Sequence, residues 1–224
     1  MRTLALLSWS GGKDAAWALH ALRQRGEVEV VALLTTITTE FQRASMQGIR
    51  REVLDAQAAA AGLPLLAAGI PEHCDNTTYE AAMAQALAEA GARWPGLRSV
   101  AFGDLFLADI RAYREIKCAQ AGWQPLFPLF GSDTARLARD MVDGGLRATL
   151  CCVDTQQVDA GFAGRDFDAS LLRDLPAGID PCGENGEFHT CVHAGPMFDH
   201  AIKVERGETV LRDGRFAYTD FNLP

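Results

Sequence analysis

Short β-rich runs alternate with amphipathic helical stretches through the first half of the chain, and no other feature constrains the fold as strongly. Such alternation builds βαβ units around a parallel sheet. Thr3 to Ser8 reads as a buried strand, followed by a helix from Asp14 to Arg25 in which Ala16, Leu19, Ala21 and Leu22 keep the helical period. Gly26 closes that helix. Val28 to Thr35 reads as the second strand, and Ser45 to Ala61 as a second helix ended by Gly62 and Pro64. Leu65 to Ala68 is the third strand, Asn76 to Ala92 an alanine-rich helix with Asn76, Thr77 or Thr78 as its cap, and Arg98 to Phe102 the fourth strand. Asp109 to Ala121 and Ser132 to Val142 are helical, and the apolar run Ala148 to Val153 reads as a fifth buried strand. The expected architecture is α/β, with five parallel strands and flanking helices.

After Asp154 the texture changes. Phe162 to Leu175 holds one short helical piece, Pro176 to Gly186 is rich in Gly, Pro, Asp and Asn, and the remainder alternates like a meander. Turn signals fall at Arg206-Gly207-Glu208 and Arg212-Asp213-Gly214. The division expected is a nucleotide-type lobe over 1–125 and a smaller α+β lobe over 126–224.

Composition excludes several function classes. With 21 basic and 29 acidic residues the net charge is −8, and the basic residues are scattered, so there is no electrostatic footprint for an extended nucleic acid. No apolar run approaches the roughly 18 to 20 residues that cross a bilayer, and the N-terminus turns polar too soon for a signal peptide; a cytoplasmic protein without membrane contact is expected. Cys74, Cys118, Cys151, Cys152, Cys182 and Cys191 are too irregular for a disulfide scaffold, and free, mostly buried thiols are expected.

Chemistry concentrates first in Ser8-Trp9-Ser10-Gly11-Gly12-Lys13-Asp14, where the first strand gives way to the first helix. Two glycines let successive N–H groups converge, the helix adds its positive end, and the serine hydroxyls and Lys13 add donors. Such a loop suits phosphate oxygens, yet it has neither the Walker A spacing nor the dinucleotide fingerprint. A second cluster is Asp180-Pro181-Cys182-Gly183-Glu184-Asn185-Gly186-Glu187-Phe188-His189-Thr190, continuing to Gly195-Pro196-Met197-Phe198. Glu184 and Glu187 on this Gly-rich loop can hold an ammonium group or Mg²⁺, or orient an attacking amine; a solvated turn is the alternative. Gly103 and Asp104 follow the fourth strand at the carboxyl edge of the sheet, where ligands of such folds sit. Asp104 is a candidate for Mg²⁺ or substrate, or else a helix cap.

Ser-Gly-Gly-Lys-Asp before a helix resembles the PP-loop of the adenine nucleotide alpha hydrolase-like ATP pyrophosphatases, a HUP-type, Rossmann-like group. Gly-Glu-Asn-Gly-Glu-Phe-His-Thr ahead of Gly-Pro-Met-Phe is similar to the C-terminal signature of the diphthine–ammonia ligase family. Phe102-Gly103-Asp104-Leu105, Arg114-Glu115, Cys118 and Gly122-Trp123 extend the resemblance over essentially the whole chain. One departure is Ala15, where the usual loop carries serine.

The resemblance implies an ATP-dependent ligase that adenylates a carboxylate, releases pyrophosphate and amidates the product with ammonia. ATP and Mg²⁺ are the expected cofactors, with Ser8, Ser10, Gly11, Gly12, Lys13, Asp14, Thr35, Thr36 and Gly103 toward the nucleotide and Asp14 and Asp104 toward the metal. Lys13, Asp104, Glu184, Glu187 and His189 are the expected catalytic groups. Partners are ATP, ammonia and a carboxylate on a small molecule or a modified protein side chain, and a homodimer is compatible with the reading. Two alternatives stay open at this point: a nucleotide sensor without ligase chemistry, and sulfur transfer to RNA, which needs a reactive cysteine pair.

Overall fold

The structure, a computed structural model, describes residues 2–224. Its first sheet contains β1 (Thr3–Ser8), β2 (Val28–Thr38), β3 (Arg43–Ala44), β4 (Leu65–Ile70), β5 (Ser99–Ala101) and β6 (Gln124–Leu126). Five of these are parallel and lie in the order β4-β2-β1-β5-β6, while the two-residue β3 runs antiparallel to the end of β2. This is Rossmann-like winding, and it reverses direction at the β1/β5 border. In such sheets the carboxyl ends at the reversal form a crevice.

Helices cover both faces, which explains the continuous apolar runs of the strands. On one face Leu7, Leu33 and Ile37 pack with α1 (Lys13–Arg25) and α2 (Arg51–Ala60). On the other, Leu6, Ala32, Leu34 and Val100 pack with α3 (Asn76–Arg93) and α4 (Ala108–Gln120). Successive residues of β1 thus serve opposite cores, as the two-residue strand period requires. Gly26 ends α1 in the left-handed conformation and donates its N–H to the Leu22 carbonyl.

The second sheet is antiparallel, ordered β8-β7-β10-β9, with β7 (Arg147–Asp154), β8 (Phe188–Ala194), β9 (Glu205–Arg212) and β10 (Phe216–Asn222). Beside it lie α5 (Thr134–Asp143), a short 3-10 turn (Ala160–Phe162) and α6 (Ala169–Asp174). Among the described residues no helix is long and apolar enough to cross a membrane. Five of the six cysteines are buried and all six are free.

Several expectations are corrected. Ala148 to Val153 is not the fifth parallel strand: it lies in β7 between antiparallel β8 and β10. Ala148 through Asp154 are all buried, so the run carries no alternation to separate it from a parallel strand. The true fifth strand, β6, is three residues long and contains Pro125, at an edge where the missing N–H costs little. The second helix begins at Arg51, not Ser45, because the preceding segment turns back through Gly48 and pairs Arg43 with Thr38. Asp75, not Asn76, Thr77 or Thr78, caps α3, its side chain accepting the Thr78 N–H at 2.7 Å. Arg206-Gly207-Glu208 lies within β9, so only Asp213-Gly214 turns the last hairpin.

Candidate active site

The loop between β1 and α1 is shaped by packing from beneath. Gly11 has φ +78°, and a Cβ there would stand 2.7 to 2.9 Å from Leu54, Gln57 and Ile49 side-chain atoms, so both conformation and space demand glycine. Gln57, on α2, is fully buried and fully used. It accepts the Trp9 indole N–H at 2.9 Å and donates to the Gly11 and Val192 carbonyls at 3.0 and 2.7 Å. The β8 strand closes the loop from the other side, with the Val192 N–H on the Gly11 carbonyl at 3.0 Å and the Lys13 N–H on Thr190 Oγ1 at 3.0 Å. Gly12 donates to Ser10 Oγ at 3.2 Å. With the Trp9 N–H on the Leu34 carbonyl at 2.7 Å, three amides from Trp9 to Lys13 are committed within the protein. Gly12 caps α1 with no side chain of its own, and with the Lys13 N–H held by Thr190 the Asp14 and Ala15 amides are the first-turn donors left toward the cavity.

Lys13 is buried, and its Nζ donates to Asp14 Oδ2 at 2.8 Å and to the Cys182 carbonyl. The rings of Phe167 and Phe188 flank it at 5.6 and 5.5 Å. Burial opposes its charge, but Asp14 beside it holds the Lys13 pKa above the ordinary lysine value. Two of its three donors are taken, leaving one.

Between α6 and β8 the acidic loop folds around its own carboxylates. Glu187 Oε1 accepts the Asp180 N–H at 3.1 Å and Asn185 Nδ2 at 2.9 Å, and Asp180 Oδ2 accepts the Glu184 N–H at 2.9 Å. Glu187 is 2% exposed and stays behind the loop, while Glu184 faces forward and accepts the Leu105 N–H at 2.7 Å through Oε1. Burial, opposed by the Leu105 N–H and reinforced by the charges of Asp14 and Asp104, pushes the Glu184 carboxyl up to about 7. His189 is lowered to about 4 by burial and by nearby Lys13, so its imidazole is neutral at pH 7.

Gly103 brings the β5–α4 connection against the start of α1. A Cβ there would lie 2.9 Å from Ala15 N and from the Asp14 carbonyl carbon. Beyond it, Asp104 accepts two hydrogen bonds from Arg114, at 2.5 and 3.0 Å, and the Arg114 guanidinium lies 4.3 Å from the Phe102 ring centroid.

These groups surround one cavity of about 210 Å³ at the β1/β5 border. Of the expected site residues it collects Ser8, Ser10, Gly12, Lys13, Asp14, Gly103, Asp104, Glu184 and His189, together with Ala15. Gly11, Thr35, Thr36 and Glu187 are not in its wall: Thr35 is buried in β2, and the Thr36 carbonyl accepts from Ser45. Arg114 and Phe102 were read from the sequence without a role, and Gln57 not at all. Gln57 had a signal, because it breaks the apolar stripe of α2 at a core position beside Val53, Leu54 and Ala58.

Strand order and the crevice define the class as a Rossmann-like α/β protein carrying an anion-suited loop at its topological reversal. The chain belongs to the diphthamide synthase family: residues 1–125 match its N-terminal domain and residues 133–219 its C-terminal domain. It is similar to diphthine–ammonia ligases of Danio rerio (27% identity, 99% of this chain, 93% of the relative) and Homo sapiens (26%, 94% and 85%). It also matches that of Schizosaccharomyces pombe at 26% identity, covering 94% of this chain but spanning only 37% of the fission yeast protein.

Proposed function

We propose that this protein is an ATP-dependent ligase that adenylates a carboxylate and converts it to a primary amide with ammonia, the acceptor being diphthine, as in the name of its relatives. The observation that carries the reading is the meeting, in one cavity, of a helix start that keeps free first-turn amides and a carboxyl group balanced near neutrality. The first supports a phosphate chain. The second supports proton transfer from nitrogen.

The open first-turn amides of α1 and the remaining Lys13 donor hold phosphate oxygens and stabilise the charge that builds on departing pyrophosphate. A well-aimed donor of this kind contributes roughly 3 kcal/mol in a transition state. Glu184, its carboxyl pushed up to about 7, accepts the proton released as ammonia adds to the activated acyl carbon. His189 stays neutral, so it adds no cation to compete with an incoming ammonium. Glu187 and Asp180 act as positioning residues that hold the loop so that Glu184 faces the cavity.

Mg²⁺ accompanying the nucleotide fits Asp14, whose Oδ1 is buried without a hydrogen-bond partner. Asp104 suits it less, since both of its oxygens accept from Arg114. When bound, the ion neutralises phosphate charge. Sulfur transfer is not supported: burial pushes Cys182 and Cys191 up to about 12 and Cys152 to about 11, so none of these thiols ionises readily.

The test supplies ATP, ammonium and a diphthine-bearing acceptor protein, then follows AMP, pyrophosphate and the mass of the acceptor. Glu184→Gln is expected to keep ATP affinity while amide formation falls about 10²- to 10⁴-fold, the usual worth of a positioned proton acceptor. Amide formation at the wild-type rate by Glu184→Gln overturns the assignment of the base, and absence of AMP from the wild type overturns the ligase reading.

A further inference from the structure

A second cavity, of about 240 Å³, lies between α3 and α4. Its wall is mainly apolar: Tyr79, Met83 and Leu87 from α3, Val100 from β5, Phe102 just after it, and Tyr113 from α4. Phe102 and Arg114 belong to this wall and to that of the first cavity. The two spaces are neighbours across that pair.

The gap follows from how the two helices sit. Over its 13 residues α4 buries only Cys118, and α3 buries only Ala86, Leu87 and Ala90, all in its second half. The first half of α3 thus stands away from the sheet, leaving large apolar side chains around open space. A salt bridge between Lys117 and Glu80, at 2.7 Å, ties the helices across this gap. Neither cavity alone reaches the roughly 300 to 1,000 Å³ of ordinary small-ligand sites; only together do they enter that range.

Arg114 supplies the polar element at the junction. Asp104 takes its Nε and one Nη2 hydrogen, which leaves three of its five N–H donors uncommitted within the described residues. A guanidinium fork is matched to carboxylate oxygens. Its stacking on Phe102 fixes the plane of the fork at the boundary between a polar and an apolar compartment.

We infer that the α3–α4 cavity seats the apolar body of the carboxylate substrate while Arg114 receives the carboxylate and presents it to the first cavity. The ligand class is a monocarboxylate with an aromatic or alkyl body of side-chain size. The inference rests on the ligase reading for its chemistry and on the shared wall for its geometry.

The probes are 3-phenylpropanoate and acetate, which share a carboxylate and differ in the body. Binding is measured by ligand-observed NMR on the full chain, and turnover by AMP release with ATP and ammonium. Wild type is expected to bind 3-phenylpropanoate at least tenfold more tightly than acetate. Ala84→Trp and Ala121→Trp project from exposed positions on the cavity wall, one from each side of the gap. Each is expected to weaken 3-phenylpropanoate at least tenfold and to leave ATP affinity within twofold. Equal binding of the two acids, or undiminished binding in both folded variants, overturns the inference. Selective binding lost in the variants, with no AMP from wild type given the diphthine-bearing acceptor protein, keeps the cavity and removes the ligase reading. AMP formed equally well from both acids keeps the ligase and removes the cavity.

Discussion

Replacing Glu184 by Gln should stabilise this protein above neutrality and leave it unchanged in mild acid. Glu184 has a carboxyl pKa of about 7 in the fold against 4.5 when unperturbed, so the folded state binds its proton more tightly than the unfolded chain does. Between those two values stability falls as pH rises, because the native state must ionise a group the fold prefers neutral. The full gap corresponds to about 3 kcal/mol, at 1.36 kcal/mol for each tenfold change in proton affinity. Gln keeps the acceptor for the Leu105 N–H and nearly the same shape, so the comparison isolates the charge. Urea unfolding followed by tryptophan fluorescence, at about pH 5 and about pH 8.5, measures it. At the lower pH the two proteins should coincide within about 1 kcal/mol; at the higher pH the variant should be more stable by about 3 kcal/mol. A difference that does not change with pH refutes the argument that burial and the Asp14 and Asp104 charges hold this carboxyl near neutrality.

Gln57→Leu should cost about 3 kcal/mol in the same unfolding assay, because the buried Trp9 indole N–H loses its only acceptor and two carbonyls lose a donor. ATP affinity, read by calorimetry, should fall with it. Gly103→Ala should cost about 1 to 3 kcal/mol, since a methyl 2.9 Å from the α1 backbone forces that helix start to move. Unaltered ATP binding in a folded Gly103→Ala protein would show that the helix start is not where the phosphates sit.

The first lobe was legible because its signals are local. Each parallel strand from β1 to β5 is a short apolar run followed by a periodic helix, and the glycine closing α1 stands where the period stops. The second sheet was harder to read, because β7 is buried along nearly its whole length and its partners come from 35 to 65 residues later, roughly, a pairing no local pattern encodes. The candidate site divides in the same way. The Ser-Gly-Gly-Lys-Asp loop could be found from its own composition, and Glu184 and Glu187 were equivalent on a line of text. Only the hydrogen bonds to Asp180 and Asn185 turn one inward as structure and leave the other to face the cavity. Thr35 and Thr36, placed toward the nucleotide by resemblance alone, lie inside β2, Thr35 buried and the Thr36 carbonyl accepting from Ser45, and their part in binding is a proposal.

The loop that opens the chain is finished by a strand nearly two hundred residues downstream: Val192 and Thr190 hold its backbone, and the Cys182 carbonyl takes its lysine. The two family-matched portions are therefore interdependent halves of one receptacle. Transplanting either onto another partner would separate the mould from its cast, and any lineage that exchanged one would have to inherit the other with it.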